Sequence, residues 1–217
     1  MTNPIDLIAS LGVVPVIAIE RVSDAVALAD ALLEGGLPIA EITFRTAAAA
    51  DVLAAIRDAR PELCIGAGTI LDQDSLRQAI ESGARFALAP GFDPEIVDAA
   101  ESLKLPFYPG IMTPTDLTLA VARGVRLAKF FPAGVAGGPK ALSGIAAPFA
   151  HLGVRFIPTG GVTQASIGEW LDIPQVVAVG GTWIAKTDDI REGRFKEIAR
   201  NAAAAVKAAR QKLDERA

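Results

Sequence analysis

The sequence has one cysteine and one histidine in 217 residues. Cys64 therefore has no partner for an intrachain disulfide. Its setting in Leu63-Cys64-Ile65 reads as a small buried hydrophobe, not a reactive thiol. With His151 as the sole histidine, zinc and iron sites of the Cys/His type are excluded. Long apolar runs are missing too. The longest candidate, residues 11–19, is too short to span a membrane and ends at Glu20-Arg21. Positive charge is scarce: the net charge is −4, which leaves no basic surface for nucleic acid or an acidic membrane. The start, Met1-Thr2-Asn3-Pro4, lacks the basic residues of a signal peptide. These absences describe a soluble protein that is not exported, and a reducing cytoplasm fits the single cysteine. An anionic ligand would have to be met by a local site.

Apolar residues are plentiful, at 51% of the chain, enough for a sizeable core. Short β-branched runs alternate with Ala/Leu-rich amphipathic segments. The runs cover residues 13–19, 39–43, 64–67, 86–89, 107–109, 127–131, 155–158 and 176–179. Each start follows the last by 20 to 28 residues, room for a strand, a short helix and two tight loops. Helix punctuation falls between them. Ser23 and Asp24 are candidate caps for a helix stopped by Gly35-Gly36. Asp72, Asp93-Pro94-Glu95 and Thr113-Pro114 open others, the first ending near Gly83 and the last near Gly124. Asn3-Pro4 predicts an extra helix before the first strand, and residues 195–216 a long final one. Eight βα units without a linker or low-complexity segment predict a single domain over residues 1–217. The α/β fold expected is a (β/α)8 TIM barrel with an extra N-terminal helix. An open doubly wound sheet fits the same pattern and stands as the alternative.

Strands of a parallel barrel are covered on both faces and should be apolar throughout. Two break that rule. Of seven lysines, only Lys129 falls within a strand, in Leu127-Ala128-Lys129-Phe130-Phe131-Pro132. An amine shielded from water there is less readily held charged and is a candidate nucleophile. The bland alternative is an inert ion pair with a buried carboxylate. In the second strand Ile39, Glu41, Thr43 and Arg45 share one face, which puts a carboxylate, a hydroxyl and a guanidinium in the interior near the C-terminal mouth. The opposite register would leave Glu41 on the surface. Thr69 ends the third strand in Gly66-Ala67-Gly68-Thr69, as a substrate donor or a helix cap.

The seventh strand runs into Pro158-Thr159-Gly160-Gly161, and the eighth into Gly180-Gly181-Thr182-Trp183. Gly-Gly turns after strands seven and eight of a barrel point to a phosphate site built from backbone N–H groups. Pro90-Gly91, Pro109-Gly110 and Phe131-Pro132 fall on the rim and shape the mouth. His151 precedes the seventh strand, at the far end, and reads as structural.

Taken in order, Val13-Val14-Pro15-Val16-Ile17, Glu41-Ile42-Thr43-Phe44-Arg45-Thr46, Gly66-Ala67-Gly68-Thr69, Lys129-Phe130-Phe131-Pro132-Ala133, Pro158-Thr159-Gly160-Gly161 and Gly180-Gly181-Thr182-Trp183 resemble the aldolases of 2-keto-3-deoxy-6-phosphogluconate (KDPG) and 4-hydroxy-2-oxoglutarate. The resemblance spans nearly the whole chain. It implies Lys129 as the imine-forming lysine and Glu41 as general acid/base. Arg45 and Thr69 become contacts for the pyruvate carboxylate, with Pro90, Phe131 and Thr159 as further substrate contacts. Gly160, Gly161, Gly180, Gly181 and Thr182 become the phosphate site. It implies a phosphorylated keto acid and pyruvate as ligands, a homotrimer, and a reaction without metal or other cofactor. Gly134 stands where relatives tend to carry Glu, and Phe44 where Leu is common. Two rival readings remain: a sugar-phosphate isomerase or epimerase with Glu41 as base, and a non-catalytic sugar-phosphate binder.

Overall fold

The computed structural model describes residues 3–216. Helix α1 (Pro4–Leu11) begins as expected: the Asn3 side chain accepts from the Ile5 N–H, and Pro4 fills a position whose N–H would be orphaned. β1 (Val13–Ile17), α2 (Ala25–Glu34), β2 (Ile39–Thr43), α3 (Ala49–Ala59) and β3 (Cys64–Gly68) follow. Then come α4 (Gln73–Glu81), β4 (Ala87–Leu88), α5 (Pro94–Ser102), β5 (Phe107–Tyr108), β6 (Gly110–Ile111) and α6 (Pro114–Ala122). β7 (Leu127–Phe130), α7 (Gly138–Ala146), β8 (Arg155–Pro158), α8 (Ile167–Leu171), β9 (Val179–Gly181), α9 (Thr187–Arg191) and α10 (Phe195–Arg216) complete the order. The α/β alternation predicted from spacing is present, and the final helix has the predicted limits.

The closed eight-stranded barrel is not. Among the described residues nine strands form two parallel sheets, one ordered β5-β4-β3-β2-β1-β9 and one ordered β6-β7-β8. Two prolines explain the seams. The fifth strand breaks at Pro109, which has no N–H to give. Before it the chain pairs with β4, and after it with β7, through Gly110 opposite Lys129. At the other seam the Phe156 N–H reaches the Gln175 carbonyl at 2.8 Å and the Val177 N–H reaches the Phe156 carbonyl at 3.1 Å. The next donor on that edge of β8 would be residue 158, a proline, and the ladder lapses into isolated bridges at Phe156–Val176 and Thr159–Gly180.

Strands β1, β2 and β3 are buried along their full length, as a parallel sheet under helices requires. α10 covers much of the outside, packing on α1, α2, α8, α9 and β1 through Ala202, Ala205 and Ala209. None of the described helices is long and apolar enough to cross a membrane. Capping follows sequence at three further helices: Asp72, Asp93 and Thr113 each accept from backbone N–H groups of α4, α5 and α6. It fails at α2. There residues Val22–Asp24 make a 3-10 turn, and the Asp24 carboxylate pairs with the Arg21 guanidinium at 2.7 Å instead of capping.

Asp93 Oδ1 lies 2.8 Å from the Glu95 nitrogen. Asp93→Ala removes that acceptor and should cost about 1 kcal/mol of stability, read as a lower urea midpoint at unchanged slope. An unchanged midpoint would mean the cap contributes nothing.

Candidate active site

Lys129 lies on β7 and Glu41 on β2, strands of different sheets whose inner faces meet. The Lys129 Nζ is 3.0 Å from Glu41 Oε1, and the two side chains are 6% and 1% exposed. The Phe131 ring closes one side, its centre 5.5 Å from the same nitrogen. Alternation along β2 and β7 thus turns both groups inward. The pair sits in a water-poor interior, where each charge depends on the other for its solvation.

Gly68 makes room for it. Thr43 of β2 is opposite Gly68 of β3, and a Cβ on Gly68 would run into the Glu41 carboxylate. No local signal in the sequence gives this role, because the reason lies on the neighbouring strand. Thr43, read from sequence only as one more polar residue on the inner face, is buried and ties two elements together. Its hydroxyl donates to the Ile17 carbonyl at 2.9 Å and accepts from Arg45 Nε at 3.2 Å. That bond anchors the exposed Arg45 just past the end of β2.

Thr69 follows β3, half-buried, with a φ of 62°. A β-branched residue in the left-handed region is strained by about 1–3 kcal/mol, and such strain concentrates at functional sites. Thr69 makes no side-chain hydrogen bond to Lys129, Glu41 or Arg45 among the described residues. Pro90 is half-buried on the rim, its carbonyl packed against Gly110 of β6.

Thr159 follows β8, buried against Gly180. Gly160 and Gly161 continue with φ of 88° and 84°, a turn that favours glycine and leaves its N–H groups unscreened by side chains. A second turn braces this one: the Ala133 N–H donates to the Thr159 carbonyl at 2.8 Å, and the Gly134 N–H to the Gly160 carbonyl at 2.7 Å. Gly134 therefore shapes the glycine turn by close backbone approach. Gly180 and Gly181 depart from expectation. They belong to β9, paired with Val14 and Pro15 of β1, and are not a free turn. The chain leaves the sheet at Thr182, which lines a surface cleft with Val16, Ala18, Arg45, Lys186 and Thr187. His151 is exposed in a 3-10 helix (Ala147–Leu152) ahead of β8, away from these residues. Among the described residues, no three of His, Cys, Asp and Glu gather as metal ligands.

A buried amine beside a buried carboxylate, set in parallel strands with glycine turns at their ends, defines the class. It is that of α/β enzymes that work on carbonyl compounds through a lysine. Known proteins narrow it. The family model for KDPG and KHG aldolase matches residues 5–201. The KHG/KDPG aldolase of Escherichia coli (strain K12) is 40% identical over 198 residues, 91% of this chain and 92% of that protein. The 2-dehydro-3-deoxy-phosphogluconate aldolase of Treponema pallidum (strain Nichols) is 40% identical over 186 residues, 86% of this chain and 88% of its own. Among solved structures, KDPG aldolase from Legionella pneumophila superposes with a TM-score of 0.89 at 35% identity, covering 94% of this chain and 98% of that one. It holds pyruvate captured at low pH as a covalent carbinolamine intermediate. The chain belongs to the KDPG and KHG aldolase family.

The role of Gly68 is open to a direct check. Gly68→Ala should displace the Glu41 carboxylate and lower kcat by tenfold or more, since a positioned acid–base group contributes about 10²–10⁴-fold. Circular dichroism should show the fold retained. A variant with the parent's kcat would show that the carboxylate does not need this space.

Proposed function

We propose that this protein is a class I aldolase that cleaves 2-keto-3-deoxy-6-phosphogluconate to pyruvate and glyceraldehyde 3-phosphate, and that 4-hydroxy-2-oxoglutarate is a second substrate, giving pyruvate and glyoxylate. One observation carries the reading: the Lys129 amine lies in a closed interior, 3.0 Å from a single carboxylate. The pyruvate carbinolamine held by the Legionella pneumophila enzyme supports it. Glu41 is close enough to take a proton from the Lys129 ammonium directly, which frees the nitrogen lone pair. The amine adds to the C2 ketone, and Glu41 returns its proton to the carbinolamine hydroxyl, which departs as water and leaves a protonated imine with Glu41 again a carboxylate. Removal of the C4 hydroxyl proton by Glu41 breaks the C3–C4 bond. Its electron pair flows into the imine, giving an enamine and the free aldehyde. Return of that proton to C3 and hydrolysis of the imine release pyruvate and restore the lysine. Every proton and electron pair is handled by Lys129, Glu41, substrate and water.

In this scheme Arg45, held by Thr43, and Thr69 bind the pyruvate carboxylate, and Pro90, Phe131 and Thr159 shape the space around C2 to C4. Gly160 and Gly161 hold the phosphate with Gly180, Gly181 and Thr182, and that remote binding lowers the barrier at the reacting bond. We further infer a cytoplasmic homotrimer. The exposed Leu71, Met112 and Val135, each on a loop just after a strand, supply apolar surface for association.

Borohydride added with pyruvate should give a covalent pyruvyl adduct on Lys129, mapped by peptide mass spectrometry, and Lys129→Ala should give none. An unmodified Lys129 in an active enzyme would replace the imine scheme with simple base catalysis. Sedimentation should give three chain masses; a monomer would remove the association.

A further inference from the structure

The cleft at the end of β9 carries one basic side chain, Lys186, that the scheme above does not use. Arg45 and Lys186 line it together with Thr182. Both are exposed, in a chain whose net charge is −4. Neither forms an ion pair among the described residues. The Arg45 Nε is committed to Thr43, but Lys186 makes no side-chain hydrogen bond among those residues. The single acid in the cleft, Asp188, is already engaged: its Oδ1 accepts from Arg191 Nη2 at 2.7 Å. The cleft is therefore net positive where it faces solvent.

The base of Lys186 is fixed. Ile184 and Ala185 just before it are buried, and the Lys186 carbonyl accepts the Ile190 N–H at 3.1 Å. On the other side, Thr187 is tied to the Ala18 carbonyl at 3.5 Å. A long flexible side chain on an immobile backbone, four residues past Thr182, is suited to meet a mobile anion as a point charge.

We propose that Lys186 is a specificity-determining residue whose ammonium contacts the phosphate of the phosphorylated substrate across this cleft, and so sets the preference for phosphorylated over unphosphorylated keto acids. The assignment rests on the aldolase reading for its substrate. 4-Hydroxy-2-oxoglutarate carries no phosphate, so it makes no such contact. One partly exposed charge-assisted contact is worth about a tenfold change in affinity.

The test uses Lys186→Met and Lys186→Arg in the full chain. The first should lower the ratio of kcat/KM values, 2-keto-3-deoxy-6-phosphogluconate over 4-hydroxy-2-oxoglutarate, about tenfold, mostly through KM, and Lys186→Arg should restore most of it. Inorganic phosphate binding, followed by phosphorus NMR, should weaken in parallel in Lys186→Met. That second readout needs no turnover. Phosphate binding lost in the variant of an inactive parent would uphold the cleft and sink the aldolase reading. An active parent whose ratio and phosphate binding are untouched by Lys186→Met would overturn the assignment and leave the aldolase reading standing. An equal fall for both substrates would mark Lys186 as structural and overturn it too.

Discussion

An amine and a carboxylate 3.0 Å apart in an apolar interior constrain everything around them. Removing two ions from water is costly, and their mutual attraction offsets that cost only with good geometry. The geometry here is supplied across strands. β2 presents Glu41, β7 presents Lys129, and Gly68 on β3 leaves the carboxylate its space. Leaving either charge unpaired would cost about 3–5 kcal/mol. A folded chain that keeps such a pair in place of two well-packed hydrophobes sacrifices stability for chemistry. The same closeness lets a proton pass between the partners without a water relay.

The surroundings divide into a rigid inside and an open rim. Thr43 locks Ile17 and Arg45 together from beneath, while the Ala133–Gly134 turn grips the Thr159–Gly160 turn from the side. The surroundings of Lys129 and Glu41 are therefore braced by hydrogen bonds, while Lys186 on the rim makes no side-chain bond among the described residues.

Much of this was legible in the sequence. The two-residue period of a strand put Glu41, Thr43 and Arg45 on one face, and a lysine inside an apolar run identified Lys129. Asn3, Asp72, Asp93 and Thr113 announced helix starts because a cap is a local interaction, settled within three residues. The failures came where the deciding partner is distant. Asp24 is as good a capping residue as Asp93, but Arg21 captures it. Eight evenly spaced strands imply closure, yet closure depends on donors at the seams, and Pro109 and Pro158 withhold them. Gly180-Gly181 read as a turn because glycine is unusual in strands, but β1 pairs with it. Gly68 carried no signal at all, since the atom it accommodates is twenty-seven positions away in sequence.

The placement of α10 bears on how the chain is made. This helix lies over α1, α2 and β1, and its Arg216 guanidinium reaches back to the Val176 and Pro174 carbonyls. It is translated after every element it covers. Until it emerges, the nascent polypeptide leaves the apolar faces of its opening helices uncovered. Native burial of the first strand is in this sense a post-translational event.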